Sequence, residues 1–452
     1  MGGTRMKNSF AKFWGLFLIA ALAVVAPAFA DENENQALKS EVKSLNNKLD
    51  ALERQVQVLN SGAHENKTAY VPSSDGSGAL KGITVSGFVD TQYNNNLSHH
   101  TTNPSSIGGG PGNQLRFDNN QNTFTMNNAE FDIEKLANPE GGAGFRVDLS
   151  AGEDMAYLDR VNVANSASGA GTTATGGVAN SKFGFQQAYV QLVAPLHAFD
   201  SSEIFGHTID IKAGRMATLN GAEVYESKDN WNISRSFLFT LSGPFTATGV
   251  RATYKLFKDK LTTYWGLSNG WDANVDNNSW KTWETGLSYN LTDKLSYSNA
   301  IYFGPETSQQ DGHKRFLLSN VVSYQATDKL ALKAELSLGR QNRVIMAGTG
   351  SQDNAQWWGL ALYSRYALTD KWGVAYRFEL YRDKDAFSTF TYSGSAATAT
   401  STVWGQTLST DYKIYDNLLG RVEYRFDKAN EGTPFGSSSQ STLGAQLIYS
   451  FS

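Results

Sequence analysis

Residues 281–303 read KTWETGLSYNLTDKLSYSNAIYF and contain the pattern that decides the fold. Apolar side chains such as Trp283 and Leu287 alternate with polar ones such as Glu284 and Ser288. This two-residue period is typical of a β-strand whose two faces meet different surroundings. A Thr-Asp-Lys turn and a second alternating run follow, so the stretch predicts an antiparallel β-hairpin.

The hairpin pattern recurs through the second half of the chain. The turns are centred on Asp259, Asp293, Asp328, Asp370 and Asp416. Consecutive centres are 34, 35, 42 and 46 residues apart, which fits two strands of about ten residues and one longer loop. Short turns that alternate with long loops are typical of an outer-membrane barrel, in which the short turns face the periplasm.

Apolar and polar side chains alternate along the strands of both a membrane barrel and a soluble sandwich. The placement of aromatic residues decides between the two folds. Seven of them occupy the apolar face within a few residues of the short turns: Tyr254, Tyr289, Tyr297, Tyr324, Tyr366, Trp372 and Tyr412. Aromatic rings favour the headgroup layer of a bilayer and form girdles there, whereas a sandwich core spreads them along the strands. The placement therefore favours the membrane barrel.

We predict an all-β transmembrane antiparallel barrel of about sixteen strands in residues 82–452. The strands are expected at 82–93, 122–136, 143–151, 183–194, 207–217, 245–257, 261–268, 280–291, 295–303, 316–326, 330–339, 356–368, 372–382, 402–414, 418–427 and 441–451. An even number of strands places both ends of the barrel in the periplasm.

The composition agrees with this class. Charged residues make up 18% of the 452 residues and aromatic ones 12%, and the mean hydropathy is -0.39. The aromatic content is too high for a disordered chain, and the hydropathy excludes a bundle of membrane helices. The chain has no cysteine, which excludes disulfides and thiolate metal sites. The net charge of -4 gives no indication of nucleic-acid binding.

Residues 1–30 are expected to be a signal peptide. Basic residues precede an apolar run at 13–25, and Ala28 and Ala30 are the small residues before a cleavage site at Asp31. A membrane anchor is the alternative, but the apolar run is short for a spanning helix.

Residues 31–60 are expected to form a periplasmic coiled coil, and residues 61–81 a flexible Gly/Ser-rich linker. The a and d positions of the heptads are Leu38, Val42, Leu45, Leu49, Leu52, Val56 and Leu59. A helix this short needs partners in water, so these residues predict oligomerisation. Valine at a with leucine at d favours a parallel dimer, but the oligomer number stays open. The alternative is a single helix that lies on its own barrel or on peptidoglycan.

The segment from Lys212 to Tyr254 carries a more specific pattern. A strand ending in Gly-Arg is followed by Gly-Ala-Glu-Val, an Asn-rich loop, Ser-Arg-Ser, a proline and a Thr-Gly-Val-Arg strand. This resembles the β-barrel porin-2 (OmpL-like) family, and the closing EYRFDKAN and TLGAQLIYSF segments resemble its last hairpin. The resemblance implies a porin-type barrel in the outer membrane of a Gram-negative bacterium, in contact with its lipid. It favours a trimer, and it brings no established substrate.

The third long loop, Leu219–Gly243, is the candidate pore constriction, since the third loop of sixteen-stranded porins commonly folds inward. The candidate constriction residues are Glu223, Glu226, Lys228, Asp229 and Arg235. The candidate basic wall opposite, on or next to lumen-facing positions, is Lys212, Arg215, Arg251, Arg377, Arg421 and Arg425. Such an arrangement would impose a transverse field and a weak anion preference. Two alternatives stay open: the loop lies outside the lumen, or the charges form salt bridges.

No catalytic constellation stands out in the sequence. The histidines fall mainly in predicted loops, turns or the linker, so we expect no enzyme activity, no metal site and no cofactor. We expect a porin for passive diffusion of small hydrophilic solutes. The alternative is an envelope tether, in which the coiled coil binds peptidoglycan or a periplasmic partner and the barrel is an anchor.

Overall fold

A computed structural model describes residues 82–98, 117, 122–156, 158, 182–196, 204–345, 352–385, 387, 401–431, 435 and 437–452. The predicted signal peptide, coiled coil and linker lie outside these residues. The strands are β1 Thr84–Asn96, β2 Thr123–Lys135, β3 Gly142–Ala151, β4 Phe183–Pro195, β5 Phe205–Ala217, β6 Thr246–Leu256, β7 Leu261–Trp271, β8 Thr282–Thr292, β9 Leu295–Pro305, β10 Lys314–Gln325, β11 Leu330–Ile345, β12 Gln352–Ala367, β13 Trp372–Asp383, β14 Ser401–Tyr415, β15 Leu418–Ala429 and β16 Ser439–Phe451.

The sixteen strands form one closed antiparallel barrel. Each strand pairs with its neighbours in sequence, and β1 pairs with β16 to close the cylinder. In that closing ladder Gly87 lies opposite Phe451 and Thr91 opposite Leu447. Closure leaves no unpaired strand edge, as a sheet within a bilayer requires. The predicted class and strand number are confirmed. Within the described residues, no helix combines the length and apolarity needed to cross a membrane.

The two faces of the strands differ as the alternation predicts. In β7 and β8, Trp265 and Trp283 face outward and are each 60% exposed. Glu284, one position after Trp283, is 2% exposed and faces the interior. Lipid solvates the outer side chains, whereas the inner ones must find polar partners inside the barrel.

The three Thr-Asp-Lys turns share one local structure. The hydroxyl oxygens of Thr292, Thr327 and Thr369 each accept backbone N–H groups from the residues two and three positions further on, at 3.0–3.3 Å. Threonine thus satisfies two donors that a tight connection would leave unpaired. This explains why the same tripeptide recurs at the short turns.

The third long connection, between β5 and β6, is the element that fills the interior. We call residues 218–245 loop L3. It contains a 3₁₀ turn, Ser227–Asp229, and one short helix, α1, Phe237–Leu241. Ser236 is the N-cap of α1, and its hydroxyl accepts the backbone N–H of Phe239 at 3.0 Å, which satisfies a donor that the first turn leaves unpaired.

Candidate functional site

Loop L3 lies inside the barrel. The Ser227 hydroxyl donates to Asp90 on the inner face of β1, and the backbone N–H of Leu219 donates to the Tyr302 hydroxyl on β9. The side-chain amide of Asn232 donates to Ser409 on β14. Because these contacts reach strands all round the cylinder, L3 crosses the lumen.

Carboxylates of three alternate strands hold the backbone of L3. Glu335 of β11 accepts the N–H of Ala222 at 3.0 Å, and Glu379 of β13 accepts the N–H of Phe237. Glu423 of β15 accepts two consecutive N–H groups, from Ile233 at 2.7 Å and Ser234 at 3.0 Å. Hydrogen bonds to an ionised acceptor are stronger than neutral ones. These wall carboxylates therefore act as backbone anchors.

Arginines of the same wall hold the carbonyl groups of L3. Arg377 donates to the Ser234 carbonyl at 2.6 Å, and Arg425 donates to the Arg235 carbonyl at 2.7 Å. Arg421 donates to the carbonyls of Ser227, at 2.8 Å, and Asn230, at 2.7 Å. Buried backbone groups need partners, and these guanidinium groups supply them where no strand can.

Two of these arginines, Arg377 and Arg425, form a chain of ion pairs beneath the loop. Arg377 pairs with Glu223 of L3 at 2.7 Å and with Glu379 at 3.2 Å. Arg425 pairs with Glu379 at 3.0 Å and with Asp427 at 2.8 Å. The side chains of Arg377 and Arg425 are 0% exposed. Their charge is neutralised within the wall and does not face water.

Apolar packing fixes L3 against this wall. Phe237, Leu238 and Leu241 of α1 are buried in a cluster with aromatic residues of β9, β12 and β13, including Trp357. The indole N–H of Trp357 donates to the Ser242 carbonyl at 3.1 Å. The Arg425 guanidinium lies 4.7 Å from the centre of the Phe237 ring. We call the inner face of β10–β15, with L3 packed on it, the loop-filled side.

Residues at the end of β3 and just after it hold the middle of L3. Arg235 is 1% exposed, pairs with Asp154 at 3.3 Å and donates to the Tyr225 carbonyl. The Tyr225 hydroxyl is hydrogen-bonded to the Ser150 hydroxyl at 2.9 Å. Burial raises the pKa of Tyr225 well above its ordinary value, so this phenol stays neutral and protonated.

A match to a family model accompanies this architecture. The model described as "Putative beta-barrel porin-2, OmpL-like" matches residues 82–451. The chain belongs to this family. No curated protein matches the sequence.

Solved structures with the same architecture are distant in sequence. The outer membrane channel DcaP of Acinetobacter baumannii is 13% identical, with a TM-score of 0.52 over 82% of this chain and 97% of that one. A loop L8 deletion mutant of OmpT, an outer membrane protein of Vibrio cholerae, is 9% identical, with a TM-score of 0.50 over 82% and 99% of the two chains. These similarities concern the fold, which is that of a porin-like outer-membrane channel.

In this porin-2 barrel, a cavity of about 190 Å³ lies between L3 and the opposite wall. We call the inner face of β3–β9 that borders it the open side. Its charged, aromatic and hydroxyl lining includes Arg146, Tyr189, Lys212, Arg251, Thr253, Tyr264, Ser288 and Ser298 from the strands, and Glu223, Tyr225 and Glu226 from the loop.

The cations of the open side differ in their partners. Arg146 lies among three carboxylates, with Asp148 at 2.7 Å, Glu134 at 3.1 Å and Asp132 at 3.5 Å. Arg251 is paired with Glu284 through two hydrogen bonds. Lys212 instead contacts the face of the Tyr189 ring, with its ammonium 4.9 Å from the ring centre.

The structure divides the predicted basic wall into three groups. Lys212 and Arg251 border the cavity, whereas Arg377, Arg421 and Arg425 lie beneath L3. Arg215 lies next to Gly214, which is on the lumen-facing side of β5. It pairs across the sheet with Ala188 and Thr248 on the face opposite Lys212, and it donates to Asn274 at 2.8 Å. Strict alternation explains this, because positions 212 and 215 fall on opposite faces.

The predicted constriction residues are also distributed. Glu223 and Glu226 border the cavity, and Arg235 is buried. Lys228 and Asp229 pair with each other at 2.6 Å near the last residues of β16, toward the short-turn end. Burial acts to lower the pKa of Lys228, but the carboxylates of Asp229, Glu226 and Asp132 together outweigh it, so this pKa is raised.

Sequence reasoning missed the residues that anchor the loop. These are Glu335, Glu379, Glu423 and Tyr225. The alternation places the three strand glutamates on the polar face, but it contains no signal for their loop partners. Among the described residues, no group of three or more His, Asp or Glu side chains is arranged to hold a metal ion.

Proposed function

We propose that this chain is an outer-membrane porin through which small hydrophilic solutes diffuse passively. The observation that carries the proposal is loop L3, which is fixed inside a closed, polar-lined barrel and narrows the lumen to one side. Charged and hydroxyl groups border the remaining space. A solute crossing there would exchange hydration water for these groups, and the width left by L3 would limit its size.

We further propose a weak anion preference that arises on the open side. Arg377 and Arg425 of the loop-filled side are neutralised by buried carboxylates, so they add little field to the solvent-filled space. The contribution comes from Lys212, which borders the cavity and for which the described residues provide no salt bridge. A reversal potential that favours potassium over chloride would contradict this preference.

Single-channel recording in planar bilayers tests the porin function. We expect ohmic steps of porin size from the purified protein. We also expect larger steps when residues 225–233 of L3 are replaced by a short Gly-Ser segment, because the loop then obstructs less of the lumen. Protein that is heat-modifiable on gels, and therefore folded, but silent in bilayers would contradict the proposal and favour the envelope tether.

We propose that the N-terminal heptads join copies of the chain, with a trimer as the assembly that a porin barrel favours. The support is the seam from Leu38 to Leu59 in the sequence. Native mass measurement in mild detergent, with and without residues 38–59, tests this. We expect the deletion to release smaller assemblies. An unchanged mass would contradict the role of the heptads, and retention of only the intact chain on peptidoglycan would favour a tether.

A further inference from the structure

The two lysines beside the central loop have similar local chemistry but different surroundings. Lys212 projects from β5 over the Tyr189 ring, and Lys333 from β11 lies 4.6 Å from the centre of the Trp231 ring. Lys212 borders the cavity of the open side, whereas Lys333 is not part of its lining. They form a natural pair for comparing a cation at the cavity with one beneath the loop.

The charge of Lys212 is not cancelled by a direct salt bridge. Within the described part of the chain, no carboxylate lies within 4.0 Å of its ammonium group. Asp210, two positions earlier on the same face, accepts the side-chain amide of Gln191 at 2.9 Å. Arg146 and Arg251, the other cations of the cavity, are each committed to carboxylates. Lys212 is therefore the cation of this cavity that retains capacity for an anion.

Neutral hydrogen-bond donors line the strand side of the same space, whereas Glu223 and Glu226 border it from L3. Thr253 and Tyr264 face it from β6 and β7, and Ser288 and Ser298 face it from β8 and β9. An ammonium group with several hydroxyls matches an oxyanion, which accepts many hydrogen bonds and carries compact charge. The cavity volume of about 190 Å³ limits the occupant to a small solute.

We infer that the open side contains a binding subsite for a small oxyanion, a carboxylate or phosphate group, centred on Lys212. The inference rests on the proposed porin function and deepens it. Solutes bearing such a group would dwell briefly at Lys212 during passage. Chloride would be drawn by the same charge but held less, because it lacks the extended set of acceptor oxygens.

The test measures ion permeability and block in planar bilayers for four variants: Lys212→Met, Lys212→Glu, Lys212→Arg and the control Lys333→Met. In a potassium chloride gradient we expect Lys212→Met to lower the chloride-to-potassium permeability ratio about fivefold. This factor corresponds to about 1 kcal/mol, the interaction energy of two unit charges in close contact in water. Lys212→Glu should favour potassium, and Lys212→Arg should retain the wild-type ratio.

Block of the current by inorganic phosphate is the second measurement. We expect it to reduce the chloride current of the wild type, and the half-blocking concentration to rise about fivefold in Lys212→Met by the same estimate. Equal changes in Lys333→Met, or no change in Lys212→Met, would overturn the subsite while leaving a conducting porin. Absence of conductance in the folded wild type would overturn the porin function itself, so the two failures are distinguishable.

Discussion

The two sides of the lumen use the same residue types for different purposes. On the loop-filled side, Arg377 and Arg425 are fully buried and bind backbone carbonyls of L3. They also pair with carboxylates, Arg377 with Glu223 of L3 and Arg425 with Glu379 of the wall. On the open side, Lys212 borders a cavity and lies over the Tyr189 ring, and no salt bridge joins it to another described residue. A charge that points into a barrel is therefore not the same as a charge in the solute path. The position of L3 decides which of the two it becomes.

The asymmetry follows from where L3 begins and ends. The loop leaves β5 at Ala217 and returns to the adjacent strand β6 at Thr246. To cross the lumen and return, it must place irregular backbone far from any strand ladder. Its N–H and carbonyl groups then require side-chain partners, and the far wall supplies Glu379, Glu423 and the arginines. The wall near β5 and β6 belongs to the open side and borders the cavity.

Replacing Arg377 with methionine should give the largest loss of stability among the variants that compare the two sides. Glu223 and Glu379 would lose their shared cation while buried, which costs about 5 kcal/mol, the upper range for breaking a buried pair. We expect the free energy of unfolding in urea to fall by that order and single-channel conductance to become noisy and larger as L3 loosens. Arg382→Met, at an exposed position of the same strand, is the control. Equal stability of the two variants would show that the ion-pair chain does not hold the loop.

Phe237→Ala should have the next largest effect. The Phe237 side chain is 0% exposed in the apolar cluster, and truncating a buried phenylalanine costs about 4 kcal/mol. Thr253→Ala, on the open side, should change the free energy of unfolding far less, because that side chain borders a cavity. The measurement is urea unfolding followed by tryptophan fluorescence. Similar losses from both variants would mean that the open side is as tightly packed as the loop-filled side.

Much of the fold could be predicted because it is encoded locally. The alternation between Lys281 and Leu291 fixes which residues face lipid, since the strand period is two. The Thr-Asp-Lys turns contain their own side-chain cap, as the contacts of Thr292 with Lys294 and Leu295 show. Neither feature depends on distant parts of the chain, so strand number and facing follow from short windows.

The anchoring of L3 could not be predicted, because its partners are remote in sequence. The bond from Phe237 to Glu379 joins residues 142 positions apart, and that from Ser234 to Glu423 spans 189. Alternation places these glutamates in the lumen but does not say what occupies the lumen beside them. For the same reason, the sequence could not separate charges that line a path from charges that form salt bridges.

A pH-dependent effect of intermediate size is expected at the end of L3. Asp272 is 3% exposed and accepts the N–H groups of Phe245 and Thr246 at 2.9 and 2.7 Å. Burial raises the pKa of Asp272 to about 6 from an ordinary value of 3.8. The folded protein therefore binds the proton more tightly than the unfolded chain. The stabilisation from this group is complete below about pH 4 and is lost as the pH rises to about 6.

The variant Asp272→Asn removes this titration. Relative to the variant, the wild type should lose on the order of 3 kcal/mol of unfolding free energy between pH 4 and pH 7, from a shift of about two pKa units. Urea unfolding at both pH values measures the difference. Asp259→Asn, at an exposed turn, changes the same charge and serves as control. A difference between wild type and Asp272→Asn that does not vary with pH would contradict the raised pKa.

Two serine-to-alanine variants should give the smallest change in unfolding free energy, and they compare the two sides most directly. The Ser234 hydroxyl accepts hydrogen bonds from Arg377 at 3.0 Å and Arg425 at 3.2 Å, and hydrogen bonds to charged groups contribute about 1.5–3 kcal/mol. Ser288 borders the cavity of the open side, where water can replace its hydroxyl, so Ser288→Ala should cost less than about 0.5 kcal/mol. Both variants remove one oxygen atom. The difference between their free energies of unfolding in urea therefore reports the effect of the surroundings of each serine. If Ser288→Ala proved as destabilising as Ser234→Ala, the space beside Lys212 would be packed protein and could not admit a solute.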